Sequence, residues 1–236
     1  MNLLEIPRMI DISAVRTDVT EQEIDQLVAT AKHFQFLCAF AMPCYTKMLV
    51  EKLSDEPNIL VGGVVGFPSG ADTTAAKVFT AKEMLAAGAQ EIDMVINVGA
   101  LKSGNYSSVS DDIKAVIDAC CGTPVKSILE IAYLTDDEIK KASEIAVKAG
   151  VSFVKTGTGW GNKPTTVETI RLIKSTIGDA AKIKAAGGVR DLNTICEMLQ
   201  AGCNRFGIGV KSAVKIMKEI YDSEHMAWNF NEFDIA

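Results

Sequence analysis

TDDEIKKASEIAVKAGVSFVKTGTG, residues 135–159, holds a helix-to-strand unit, and the rest of the chain reads as variations on it. Thr135 offers a hydroxyl to cap a helix, acids fill the first turn, lysines come late, and Gly150 follows; this is the order that helix termini favour. Apolar residues recur at helical spacing in between. The pattern then changes: SFVKT is a short strand-like run that ends in Lys155, and Gly157-Thr158-Gly159 follows it. Desolvation disfavours an ammonium, so a lysine at such a strand end either snorkels to water or is held neutral. A neutral lysine is a nucleophile that forms imines with carbonyls.

The same alternation extends in both directions. Strand-like runs occur at 9–15 (MIDISAV), 36–42 (FLCAFAM), 59–67 (ILVGGVVGF), 91–98 (EIDMVINV), 125–131 (VKSILEI), 152–156 (SFVKT), 182–186 (KIKAA) and 204–210 (NRFGIGV). Helical patterns lie between them, among them 20–34, 73–88, 135–150 and 191–202, most opened by Thr or Asp and several closed by Ala-Gly. Strands alternating with helices imply a parallel sheet, and eight of them imply a closed (β/α)8 TIM barrel. An open doubly wound sheet lacks its usual mark, since no G-x-G-x-x-G follows an early strand. The expected organisation is a single domain over 1–236, with 221–236 a short C-terminal tail.

Composition narrows the function. The chain has 236 residues, 48% of them hydrophobic, which suits one substantial core. Its net charge is −6 and no basic cluster is present, so nucleic acid is not an expected partner. No run of about 18 apolar residues predicts a membrane span, and the N-terminus lacks the pattern of a secretory signal. Cysteines at 38, 44, 120, 121, 196 and 203 have no zinc spacing and read as reduced, buried thiols of a cytoplasmic protein. With two histidines, His33 and His225, a histidine-based metal centre or triad is poorly supported.

Lys184 repeats the theme of Lys155: it lies in KIKAA and precedes Gly187-Gly188. In a barrel the C-terminal strand ends converge, so both amines would meet Asp93 of EIDMVINV, and a carboxylate between two amines could relay protons. Glu130 reads as structural, as an ion-pair partner for one of the amines. Glu91 is expected to face outward, and Lys77 and Lys82 to face solvent. Gly62-Gly63 is expected to permit tight packing, and 72–74 to start a helix after a turn at Phe67-Pro68.

These blocks resemble the class I deoxyribose-phosphate aldolase family. The stretch 64–106 follows its central block, and SILEIAYLTDDEI, FVKTGTGW, IKAAGGVRD and AGCNRFGIG follow in the family's order, so the resemblance spans about 9 to 215. It implies a (β/α)8 barrel, reversible aldol chemistry on 2-deoxyribose 5-phosphate, Lys155 as the imine lysine, Lys184 as the lysine that lowers its pKa, Asp93 as the proton relay and Asp11 near the substrate. No metal or cofactor is then expected, because the imine serves as the electron sink. The partner is a small aldehyde or sugar phosphate, and a homo-oligomer is expected.

The chain departs from the family where phosphate is held. Gly209 and Val210 stand where hydroxyls are expected, Gly157 where serine is frequent, Trp160 where some members have lysine, and Phe40 at the position of a pocket cysteine. Backbone amides of Gly187, Gly188, Gly207 and Gly209 can still cradle an anion, with Gly157 and Gly159 in the neighbouring loop and Arg190 adding charge. Trp160 either stacks on a sugar or packs as a loop aromatic. The alternatives are a related aldolase for an unphosphorylated substrate and a sugar-phosphate-binding barrel without turnover.

Overall fold

A computed structural model describes residues 2–230 and confirms a closed parallel barrel. The elements run β1 (Ile10–Ala14), α1 (Glu21–Phe34), β2 (Cys38–Ala41), α2 (Thr46–Lys52), β3 (Leu60–Val65), α3 (Thr74–Ala86), β4 (Glu91–Val95), α4 (Val98–Lys102), α5 (Tyr106–Ala119), β5 (Val125–Ile128), α6 (Asp136–Ala149), β6 (Phe153–Lys155), α7 (Val167–Ile177), β7 (Lys182–Ala186), α8 (Leu192–Gln200), β8 (Arg205–Gly209) and α9 (Val210–Ser223). Each strand pairs with its sequence neighbours, and β8 closes on β1 with Asp11 opposite Gly207. All eight sequence runs contain a strand.

Local chemistry sets the helix ends. In α6 Thr135 accepts from the Glu138 amide, and the Glu138 carboxylate accepts from the Thr135 amide at 2.8 Å, while Gly150 caps the far end at φ 100°. Thr20 and Glu23 build the same box on α1.

The two faces of the strands differ sharply. The main apolar core lies between the strands and the helices, and includes Ile10, Ile12, Ala39, Val61, Ile92, Met94, Val154, Ile183, Phe206 and Ile208. Residues alternate across a strand, so those between them point into the barrel. There, where barrels usually stack branched aliphatics, this chain buries Asp11, Glu91, Asp93, Lys126, Lys155, Lys184 and Arg205. Cys38, Phe40 and Val64 form a small apolar island beside them. The ring of Phe40 fits because β3 has glycine opposite it: a Cβ on Gly62 would lie 2.1 Å from ring carbons.

Three expectations are corrected here. Glu91 faces inward, because it shares the period-two face of Asp93. Lys77 is fully buried: its Nζ donates to Asp112 at 2.6 Å and to the Val95 carbonyl at 3.0 Å, which joins α3 to α5 and to the end of β4. The C-terminal segment does not begin at 221, since α9 runs to Ser223. After it, Trp228 and Phe230 pack on Phe34 of α1, with centroids 5.7 and 4.9 Å away. Residues 231–236 of the expected tail lie outside the described residues. Among the described residues, no helix is long and apolar enough to cross a membrane.

Candidate active site

β4, β6 and β7 bring three side chains to one point. Asp93 faces Lys126 across the β4–β5 ladder, and Lys155 faces Lys184 across the β6–β7 ladder. Lys155 Nζ donates to Asp93 Oδ2 at 2.7 Å, and Lys184 Nζ donates to the same oxygen at 2.8 Å. Lys184 also pairs with Asp11 Oδ2 at 2.6 Å. Asp93, Lys155 and Lys184 thus meet in space, as the sequence suggested, and Asp11 joins them through Lys184.

Beneath them lies a layer that the sequence reading missed. Lys126 pairs with Glu91 at 2.5 Å and with Asp93 Oδ1 at 3.2 Å. Arg205 donates to Glu91 at 2.6 Å and lies 3.5 Å from Asp11. The cluster therefore holds Lys126, Lys155, Lys184 and Arg205 against Asp11, Glu91 and Asp93. With every group ionised one positive charge is in excess, and the cluster balances when one lysine is neutral.

The surroundings of Lys155 favour it for that role. Burial pushes its pKa down, Asp93 works against that, and the charges of Lys184 and Lys126 push it down again, leaving it at about 8. Burial opposes the charge on Asp93, but Lys126, Lys155 and Lys184 together hold its carboxyl well below the usual range. Lys126 is raised despite its burial, because Asp93, Asp11 and Glu91 face it. Lys155 is also the more accessible amine, 7% exposed against 1% for Lys184. The Phe40 ring backs the amines, with its centroid 4.2 Å from Lys184 Nζ and 5.9 Å from Lys155 Nζ.

A cavity of about 330 Å³ opens above Lys155 and Lys184. Gly159, Gly187, Gly188, Arg190, Gly207 and Gly209 all line it, as does Lys211 from the first turn of α9. Gly187 and Gly188 adopt φ of 88° and 89°, a region that side chains disfavour. Gly157 does not reach this cavity. It lines an adjoining cleft with Glu130 and Lys163.

Glu130 differs from expectation too. It pairs with no lysine, and its carboxylate accepts from the Thr158 amide at 3.3 Å and from the Thr158 hydroxyl. The chain leaves β5 at Glu130 in a left-handed conformation, φ 44°, and the side chain fastens the loop after Lys155. Trp160, in that loop, donates its indole N–H to the Val15 carbonyl at 2.8 Å.

Among the described residues, Asp11, Cys38 and Glu91 bring possible metal-ligating atoms within 4.8 Å of one another. The donor set does not suit a cation. Glu91 already serves Lys126 and Arg205, Asp11 serves Lys184, and burial raises the Cys38 thiol well above its ordinary pKa. All six cysteines are free, but only Cys38, Cys120 and Cys203 are buried as expected; Cys44 and Cys121 are exposed and Cys196 is half-buried.

Residues 9–218 match the profile of the DeoC/LacD family aldolases. A deoxyribose-phosphate aldolase of Sinorhizobium medicae (strain WSM419) is 46% identical over 91% of this chain and 87% of its own length. A solved structure described as "QR15, an Aldolase" superposes with a TM-score of 0.87 at 35% identity, covering 94% of this chain and 98% of that one. A deoxyribose phosphate aldolase from Aeropyrum pernix, described as having a unique tetrameric structure, gives 0.83 at 27% identity over 94% and 93% of the two chains. The family profile covers most of this chain, and the chain belongs to the DeoC/LacD family of aldolases.

Proposed function

We propose that the chain is a class I aldolase that reversibly cleaves 2-deoxy-D-ribose 5-phosphate to acetaldehyde and D-glyceraldehyde 3-phosphate through an imine on Lys155. The observation that carries this reading is the shared oxygen of Asp93, which contacts both Lys155 and Lys184 while Lys155 has its pKa lowered to about 8. Binding alone would not need an amine so prepared.

In cleavage, neutral Lys155 adds to the aldehyde carbon, and loss of water gives a protonated imine. The bond between the second and third carbons breaks as the C3 hydroxyl gives up its proton. The electron pair enters the imine and leaves an enamine, and D-glyceraldehyde 3-phosphate departs. Protonation of the enamine and hydrolysis release acetaldehyde and restore Lys155. Asp93, through a bound water, moves the protons of C–C bond cleavage and of enamine protonation. Lys184 keeps Lys155 deprotonated between turnovers by charge repulsion, and Asp11 holds Lys184 in place. The phosphate lies against the amides of Gly187, Gly188 and Gly209 with Arg190 nearby, a cradle that does not depend on hydroxyls at 209 and 210. Gly159 and Gly207 shape the same wall.

We place the protein in the cytoplasm as a homo-oligomeric enzyme of deoxyribose phosphate catabolism, on the strength of its reduced thiols and of the tetrameric relative. The test is to supply 2-deoxyribose 5-phosphate and measure both products. Stoichiometric acetaldehyde and D-glyceraldehyde 3-phosphate are expected, and a Lys155→Leu variant should release neither. Equal cleavage by that variant would refute the assignment.

A further inference from the structure

The two oxygens of Asp93 are held in different ways. Oδ2 accepts from Lys155 at 2.7 Å and from Lys184 at 2.8 Å. Oδ1 is buried and accepts no hydrogen bond from any described residue; the charge that faces it is the ammonium of Lys126, 3.2 Å away. A buried carboxylate oxygen with no counter-charge is costly, and a carboxylate free to turn would present either oxygen to the amines. Lys126 is placed to prevent both. The β4–β5 register sets it directly opposite Asp93, and it is wholly buried. Its Nζ donates to Glu91 at 2.5 Å, and Arg205 holds Glu91 in turn at 2.6 Å. Two rings flank the ammonium, Phe40 on the side of the amines and Phe153 on the side of Arg205, with centroids 5.2 and 5.5 Å from Nζ. Burial opposes the charge on Lys126, but Asp93, Asp11 and Glu91 together raise its pKa, so it stays an ammonium while Lys155 gains and loses protons. It is a fixed charge and not a link in a proton path.

We propose, resting on the aldolase reading above, that Lys126 is a positioning residue for the proton relay: it holds Asp93 Oδ1 from beneath, so that Oδ2 stays aimed at Lys155 and serves the protons of the donor carbon. The donor half of the reaction isolates this role. Lys155 condenses with acetaldehyde and releases one water. The methyl carbon of the iminium then gives a proton to the water held by Asp93. The electron pair of that C–H bond forms the enamine double bond, and the iminium pair moves onto nitrogen. Return of a proton to the methyl carbon reverses the step, and hydrolysis frees acetaldehyde and Lys155. In D2O a deuteron returns instead, so the methyl group exchanges at the pace of the relay, and no acceptor takes part. Lys126 touches neither acetaldehyde nor Lys155 in this scheme and acts through Asp93 alone.

The test is methyl exchange of acetaldehyde in D2O, followed by proton NMR at pD 9, above the Lys155 pKa of about 8. Each rate is divided by the number of Lys155 sites that borohydride traps in the same sample, so that loss of folded protein does not count. Lys126→Met should slow exchange per trapped site by about 10- to 100-fold, the range that a misplaced reacting group costs. Glu91→Gln loosens the same layer but leaves Lys126 against Asp93, and should exchange close to the wild-type rate. The double variant Glu91→Leu/Lys126→Met strands no charge between Glu91 and Lys126; it should exchange as slowly as Lys126→Met, and it is the arm to read where the single variant is not recovered folded. Wild-type exchange per trapped site in Lys126→Met or in the double variant would overturn the positioning role and leave the aldolase reading standing. Equal slowing in Glu91→Gln would make the whole layer a support for the fold, and would overturn it too. No exchange and no trapped lysine in wild type would overturn both.

Discussion

Replacing Lys184 by methionine removes one charge from a cluster whose balance sets the state of Lys155. Lys155 Nζ and Lys184 Nζ touch the same Asp93 oxygen at 2.7 and 2.8 Å, so the two amines lie no farther apart than the sum of those distances. At such a separation, and with an effective dielectric constant of about 20, two like charges repel by roughly 3 kcal/mol, or about two pKa units. Loss of Lys184 also leaves more of Asp93 to Lys155, which acts in the same direction. Lys155 attacks only as the free amine, so imine formation climbs as pH rises through its pKa, at about 8 in the native site. The methionine variant should move that climb upward by roughly two pH units, so that imine formation at pH 7 falls about 100-fold and recovers in alkali. Stopped-flow measurement of acetaldehyde imine formation from pH 6 to 11 reads this directly. A midpoint that stays in place, or moves down, refutes the electrostatic account of Lys184.

Two further substitutions separate the roles around Asp93. Its carboxylate holds the Lys155 pKa up against burial, so Asp93→Asn should lower that pKa and increase imine trapping below pH 8, while turnover drops about 100- to 10,000-fold for want of a proton carrier; parallel loss of trapping and turnover would contradict the relay. Lys126→Met should cost about 3–5 kcal/mol, because Glu91 and Asp93 each lose a buried partner. For a domain of this size that amounts to a fall in Tm on the order of 10 °C, and an unchanged melting curve would show that the charge layer is not structural.

The fold was legible because each strand announces itself locally. Runs such as KIKAA and SFVKT are short, apolar and bounded by glycines, and the helices between them carry their own caps, as Thr135 and Gly150 show. The run 59–67 overreached since Gly66, at φ 63°, ends the strand, which a sequence pattern does not resolve. The upper half of the site was legible for a related reason: Asp93, Lys155 and Lys184 lie in neighbouring strand runs whose inward faces a barrel must bring together, with Lys155 at the end of β6 and the other two midway along β4 and β7. The lower half was harder to read. Glu91 could have been placed, since it lies two residues before Asp93 and must share its face. Lys126 and Arg205 at strand starts look like ordinary surface cations until the closed barrel brings their side chains onto Glu91. Lys77 depends on Asp112, 35 residues away, and Trp160 on Val15, 145 residues away, so neither partner leaves a local trace.

The central claim is that Lys155 is the amine that carries the substrate. Incubation with acetaldehyde and sodium borohydride, followed by peptide mass spectrometry, tests it most directly. The account predicts the mass of one reduced acetaldehyde on the peptide containing Lys155 and none on that containing Lys184. Label on Lys184 alone would reverse the two roles, and no labelled lysine at all would contradict the imine mechanism.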